Sequence, residues 1–276
     1  MNLKQAKILI TGASSGIGAA TAKAAAREGA YVILLARNSV RLEQVATEIR
    51  QIGERAAVYP IDLTDADAVT QTVQQIQQEV GTPDVLMNNA GVGRWLSVEE
   101  TQPEEAAMMM AAPYLAAFNI TRAFLPEMLK HRSGTIVNMT SIAAYLVWPG
   151  ATAYTAGRWA MRGFHQALTA DLSGTRLRTM LVAFAAVRSD YWANNPGSKQ
   201  RIPQAQTMIP TLTPDQAASA IVHGLQRNQR EVFAPFMLRV ILTLNYFFPF
   251  VTRRLMIHTG YKRSAAAAID RSTIPS

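Results

Sequence analysis

Short runs of strand-forming apolar residues alternate along the chain with longer stretches whose apolar positions recur at helical spacing. The pattern predicts strands over residues 7–11, 31–36, 56–60, 85–88, 134–139, 178–184 and 231–234, with helices over 16–27, 39–51, 66–80, 104–131, 153–173 and 214–227 between them. Such alternation is the signature of βαβ units. The expected fold class is therefore α/β, one domain with a doubly wound parallel sheet of about seven strands and helices on both faces. That domain is expected over 1–235, including a loop at 190–212, and is followed by an apolar and basic extension over 236–276. No repeat or low-complexity run is present apart from the alanines at 265–268, in a tail expected to fray.

Composition narrows the chemistry. Of the 276 residues, 49% are hydrophobic, enough for a substantial core. The 27 Lys/Arg and 19 Asp/Glu leave a formal charge of +8, and from Gln226 onward eight Lys/Arg face only Glu231 and Asp270. A basic end of this kind suits nucleic acid, an anionic membrane surface or an anionic ligand, or is simply a solvated surface. The absence of cysteine excludes disulfides, thiol nucleophiles and Cys-ligated metals. His131, His165, His223 and His258 are too scattered for a ligand set, so no metal is expected. No apolar signal run precedes the first strand, and the expected location is cytoplasmic, with membrane association as a second option.

Tyr154 and Arg158 stand one helical turn apart, and Ser141 lies thirteen positions before the tyrosine (154 − 141 = 13) at the end of an apolar strand. A phenol works as an acid or base near neutral pH when a neighbouring cation favours its phenolate, and residues i and i+4 share a helix face. The trio points to proton transfer. Because a guanidinium keeps its charge and presents a fixed fork of donors, Arg158 is expected to supply charge rather than relay protons.

Upstream, Thr11-Gly12-Ala13-Ser14-Ser15-Gly16-Ile17-Gly18 follows the first strand and opens the first helix. Small residues there let backbone N–H groups approach a pyrophosphate at the positive end of the helix, so a dinucleotide is expected. At the end of the second strand, where an acid would bind the ribose 2′-hydroxyl of NAD, stands Ala36-Arg37. Arg37 beside Ser14 suits a 2′-phosphate, and NADP(H) is expected over NAD(H). The rival is that Arg37 is a solvent residue in a loop shared with Arg41. Asp62-Leu63 after the third strand offers a carboxylate to the adenine amino group, or else belongs to a helix cap for which Thr64 or Asp65 is better placed. After the fourth strand, Asn89, Ala90 and Gly91 are small enough for the sheet edge to meet the cofactor, and the Asn side chains can tie adjacent strands.

In combination, Thr11-x-x-x-x-Gly16-x-Gly18, Asn88-Asn89-Ala90-Gly91, Ser141 and Tyr154 resemble the short-chain dehydrogenase/reductase family, single-domain oxidoreductases with a Rossmann core, over about residues 4 to 230. The resemblance implies that Tyr154 is the general acid or base for a carbonyl/alcohol substrate and that Ser141 hydrogen-bonds the same oxygen. It also implies a homo-oligomer, dimer or tetramer. Three positions depart from the family pattern. Arg158 occupies the place of a lysine that lowers the tyrosine pKa and holds the nicotinamide ribose. Pro113 stands where an active-site Asn kinks its helix, and a proline is expected to keep that kink by freeing the carbonyl of Met109. Phe184-Ala185 replaces the Pro-Gly after the sixth strand, while Val187 and Ser189 remain as nicotinamide-side contacts. These departures leave a second hypothesis, an NADP-binding protein of the same fold that has lost hydride transfer.

Residues 190–212 lie where the family places its substrate loop. Tyr191 and Trp192 there, with Trp95 and Trp148 flanking the cleft, suggest an apolar substrate unless they simply pack the loop onto the core. In the extension, an apolar run over 236–251 is interrupted by Arg239, Asn245 and Pro249 and is too short to span a bilayer. Residues 236–263 are therefore either an interfacial segment facing anionic headgroups or a cover for the substrate loop or a neighbouring subunit. Nucleic-acid binding is not expected, because the aromatics form one run rather than interleaving with the basic residues.

Overall fold

Seven parallel strands form one sheet in the order β3-β2-β1-β4-β5-β6-β7. The computed structural model describes residues 1–189, 191, 195 and 197–263. The strands are β1 (Lys7–Thr11), β2 (Tyr31–Ala36), β3 (Ala56–Pro60), β4 (Val85–Asn88), β5 (Thr135–Ser141), β6 (Arg178–Phe184) and β7 (Glu231–Ala234). The helices between them are α1 (Gly16–Arg27), α2 (Ser39–Gln51), α3 (Ala66–Glu79), α4 (Pro103–Met110), α5 (Ala116–His131), α6 (Thr152–Asp171) and α7 (Pro214–Gln226). Two more, α8 (Phe236–Phe247) and α9 (Pro249–Thr259), follow β7.

Alternate strand residues serve opposite faces. Ile8, Ile10, Val32 and Leu34 pack with α1, α2 and α7, whereas Leu9, Ile33, Leu35 and Leu86 pack with α3, α5 and α6. Burial on both faces is why the strands read as near-continuous apolar runs. The single-domain parallel sheet expected from the alternation is the one observed, and it has the Rossmann core that the resemblance implies.

The strand order reverses between β1 and β4, the crevice where such sheets bind ligands. One hydroxyl laces it together. Thr11 Oγ1 donates to the Met87 carbonyl (3.2 Å) and accepts from the N–H groups of Asn89 (2.9 Å) and Ala90 (3.0 Å). Asn89 Nδ2 donates to the Thr11 carbonyl (2.9 Å). Deeper in, Asn88 Nδ2 donates to Asn138 Oδ1 (2.8 Å) and Thr121 Oγ1 (3.0 Å), so the asparagines do tie adjacent elements.

The helix expected over 104–131 is not continuous. α4 ends at Met110, residues Ala111–Leu115 form a π turn, and α5 begins at Ala116. Pro113 has no N–H to give the Met109 carbonyl, and the ladder resumes with the Ala116 N–H donating to the Ala111 carbonyl, five residues back. The break in the helix expected at the proline is present, as a π turn.

α8 and α9 meet at 117°. Their buried residues Leu238 and Met256 join Trp95, Trp148 and Tyr154 in one apolar cluster, and Asn245 Nδ2 donates to the Tyr145 carbonyl (3.3 Å). The pair therefore packs onto the apolar cluster that contains Tyr154. No single described helix is long and apolar enough to cross a membrane.

Candidate active site

A cleft of about 840 Å³ opens along the carboxyl ends of the strands. It gathers Gly12, Ser14, Ser15, Gly16 and Ile17 from the turn after β1, Arg37 from the end of β2, and Asp62 and Leu63 after β3. It also gathers Asn89, Ala90 and Gly91 after β4, the trio Ser141, Tyr154 and Arg158, and Val187 and Ser189 after β6. Gly18 is the exception among the expected cofactor residues. It is buried beneath the turn, where a β-carbon would overlap the Gly12 carbonyl, so its role is to let α1 close onto the sheet rather than to line the cleft.

At the end of the cleft expected to take the adenosine, Asp65 caps α3 by accepting from the N–H groups of Asp67 and Ala68 (both 3.0 Å). Asp62 is thereby free of that task. Its Oδ1 accepts from the Thr64 N–H (2.9 Å) and hydroxyl (2.8 Å), which hold its carboxyl below the usual carboxylate range, with Arg37 contributing a smaller pull. Arg41 lines the cleft alongside Arg37. The sequence reading treated Arg41 only as a neighbour; the signal for it was its i+4 spacing from Arg37 at a helix start capped by Asn38, whose Oδ1 accepts from the Arg41 N–H (2.9 Å).

At the end of the cleft expected to take the nicotinamide, Tyr154 and Arg158 are both buried on one face of α6, with the guanidinium carbon 5.0 Å from the tyrosine ring centroid. The cation lies over the ring face. Its Nη2 rests against Gly91, where a β-carbon would fall 2.8 Å away, and its Nε has no hydrogen-bond partner among the described residues. A buried guanidinium with an unpartnered donor, floored by glycine, fits an oxygen-rich ligand such as a cofactor ribose. Thr140 Oγ1 donates to the Arg158 carbonyl (2.9 Å), which pins α6 to the end of β5. Ser141 Oγ accepts from the Ala143 N–H (3.3 Å), and its own hydrogen remains available to a substrate oxygen.

Gly157 lies between the two catalytic candidates on α6, and sequence reasoning missed it. A β-carbon there would overlap the carbonyl oxygen of Met109, the group released by Pro113. The break between α4 and α5 and the glycine of α6 are therefore one close contact seen from two sides.

The end of the cleft expected to take the substrate is aromatic. Trp95 meets Trp148 edge-on (centroids 5.1 Å apart) and lies 5.7 Å from the Tyr154 ring. Tyr191 Oη donates to the Gly93 carbonyl (2.6 Å) and accepts from Trp95 Nε1 (3.2 Å), and burial pushes its phenol above the ordinary tyrosine range. Tyr191 thus packs the substrate loop while forming its wall. Trp192 and Pro196 lie outside the described residues. The base of the loop is pinned by Val187 pairing with Leu212, with the Arg188 N–H donating to the Leu212 carbonyl (2.8 Å).

The short chain dehydrogenase family model matches residues 6–199, which include the glycine turn, Ser141, Tyr154 and Arg158. The chain belongs to this family. Among its relatives within the family, estradiol 17-beta-dehydrogenase 11 of Rattus norvegicus is 30% identical over 245 residues, covering 88% of this chain and 79% of the relative. A fatty acyl-CoA reductase of Acinetobacter baylyi is 34% identical over 233 residues, covering 84% and 76%. A metagenomic short-chain oxidoreductase solved in complex with NADP aligns with a TM-score of 0.70 at 31% identity, covering 85% of this chain and 98% of that one. The protein is an oxidoreductase of the short-chain dehydrogenase type with a nicotinamide dinucleotide cofactor. Nothing among these relatives favours the noncatalytic alternative.

Proposed function

We propose that the protein is an NADP(H)-dependent oxidoreductase that interconverts a carbonyl and an alcohol on an apolar substrate. The observation that carries the reading is the buried Tyr154/Arg158 pair on one face of α6, beside Ser141 in the cleft. Tyr154 Oη gives its proton to the carbonyl oxygen, or takes it back in the reverse direction, and Ser141 Oγ holds that oxygen in place. Arg158 keeps a positive charge beside the phenol, so the phenolate left after transfer is stabilised without a proton leaving the guanidinium. Gly91, Arg158, Val187 and Ser189 would hold a nicotinamide, which when bound would supply hydride to the carbonyl carbon or take it from the alcohol carbon in the reverse direction. Trp95 and Trp148 exclude water from the reacting oxygen, which strengthens each of these interactions.

Preference for the phosphorylated cofactor is supported by Arg37 and Arg41 at the end of β2, with no acidic residue between them. Titration by fluorescence is expected to give about ten-fold or tighter binding of NADPH over NADH, and Arg37→Ala is expected to erase the difference. Equal affinities in the unmodified protein would remove the NADP assignment. A panel of alkyl and aryl carbonyls followed at the NADPH absorbance tests turnover, and tight NADPH binding with no turnover on any of them would overturn the oxidoreductase reading.

A further inference from the structure

Eleven of the twenty exposed large apolar side chains among the described residues lie between Phe236 and Ile257. α8 is apolar on both sides. Leu238, Ile241 and Leu242 face the cluster that contains Tyr154, and Met237, Val240, Leu244 and Phe247 run along the opposite side, each more than a third exposed. A helix that is apolar on two opposite sides needs apolar surroundings on both, and here the described residues supply only one. At the corner between α8 and α9, Tyr246 and Phe250 are 80% and 83% exposed.

Charge says what the other side is. Residues 236–263 carry Arg239, Arg253, Arg254, Lys262 and Arg263 and no Asp or Glu, and of these Arg263 pairs with Glu99 (2.8 Å). A second copy meeting this face through a two-fold axis would bring two basic surfaces together, whereas an anionic lipid surface complements them. The 117° corner also prevents the pair from crossing a bilayer as one rod and suits a wedge lying in its interface. We propose that the outer face of α8 and the α8/α9 corner dock onto an anionic lipid bilayer, which sets the substrate end of the cleft against the acyl chains. Docking stands independently of the function proposed above; delivery of an apolar substrate from the lipid rests on it.

The test is co-sedimentation of the full chain with phosphatidylglycerol and with phosphatidylcholine vesicles. It is repeated for Phe247→Glu/Phe250→Glu and for Arg253→Gln/Arg254→Gln, each first checked to melt at the parental temperature. The expected result is pelleting with phosphatidylglycerol vesicles, weaker pelleting with phosphatidylcholine, and a loss of about ten-fold or more in vesicle affinity for both double variants. The arginine variant changes only exposed charge and keeps the test valid should the glutamates disturb folding. Equal vesicle affinity in parent and variants, or no vesicle binding at all, would overturn the proposal. So would a lipid-free dimer that Phe247→Glu/Phe250→Glu dissociates, since that would assign the face to a second copy. Vesicle binding without turnover on the carbonyl panel would remove the proposed function and leave the docking intact.

Discussion

Arg158 is a buried cation with no ion-pair partner among the described residues, held over the ring of Tyr154 and against Gly91. The charge therefore belongs to the site and not to a structural ion pair. Tyr154→Phe is expected to lower kcat by about 10²–10⁴-fold while NADPH affinity is unchanged, because it removes only the hydroxyl that carries the transferred proton. Arg158→Lys is expected to keep turnover and Arg158→Ala to lose it, as measured by NADPH oxidation. Activity in Arg158→Ala equal to the parent would show that the phenol works without its cation. At this scale the sequence was legible where chemistry is local: Ser141, Tyr154, Arg158 and the glycine turn all meet in one cleft. Gly18 and Gly157 were not legible in their actual roles, because what each avoids, a carbonyl on another segment, is visible only once the chain is folded.

Pro113 and Gly157 show the same limit among elements. The periodicity over 104–131 is continuous and gives one helix, and only the missing N–H of the proline signals the π turn that the structure contains. Gly157→Ala is expected to destabilise the fold by about 1–3 kcal/mol in urea unfolding, since the added methyl forces α6 away from Met109. Turnover should fall with it, because Tyr154 and Arg158 move with α6. The strands were read to within two residues because burial on both faces leaves little room for another pattern, whereas an apolar run broken by Arg239, Asn245 and Pro249 did not reveal that α8 and α9 are two helices at a corner.

Where β5 and α6 pack, buried His165 accepts at Nδ1 from Asn138 Nδ2 at 3.3 Å, and burial pushes its pKa down to about 4. The folded state resists protonation that the unfolded state accepts at the ordinary value near 6.5, so stability is present above that value and is lost as pH falls from there toward about 4. The loss is on the order of 3 kcal/mol. Urea midpoints measured across this window should fall in the parent and flatten in His165→Gln.

The whole molecule is divided along its crevice. The adenosine end is built from turns at the ends of β1, β2 and β3, and the substrate end from parts as distant in sequence as Trp95, Tyr191 and α8. A ligand that bridges the two should stabilise the whole chain, by about 2.7 kcal/mol at a hundred times its Kd, which thermal melts with and without NADPH would register. The substrate end was least legible in the sequence, since its aromatic wall is assembled from segments that no spacing rule connects.

The two apolar sides of α8 also bear on how such an enzyme would be assayed. With its roof in lipid, turnover would follow the mole fraction of substrate in the membrane and not its amount per volume of buffer. Diluting the vesicles with substrate-free phosphatidylglycerol at constant total substrate would slow the reaction, while adding buffer to the same suspension would leave the rate per bound enzyme unchanged.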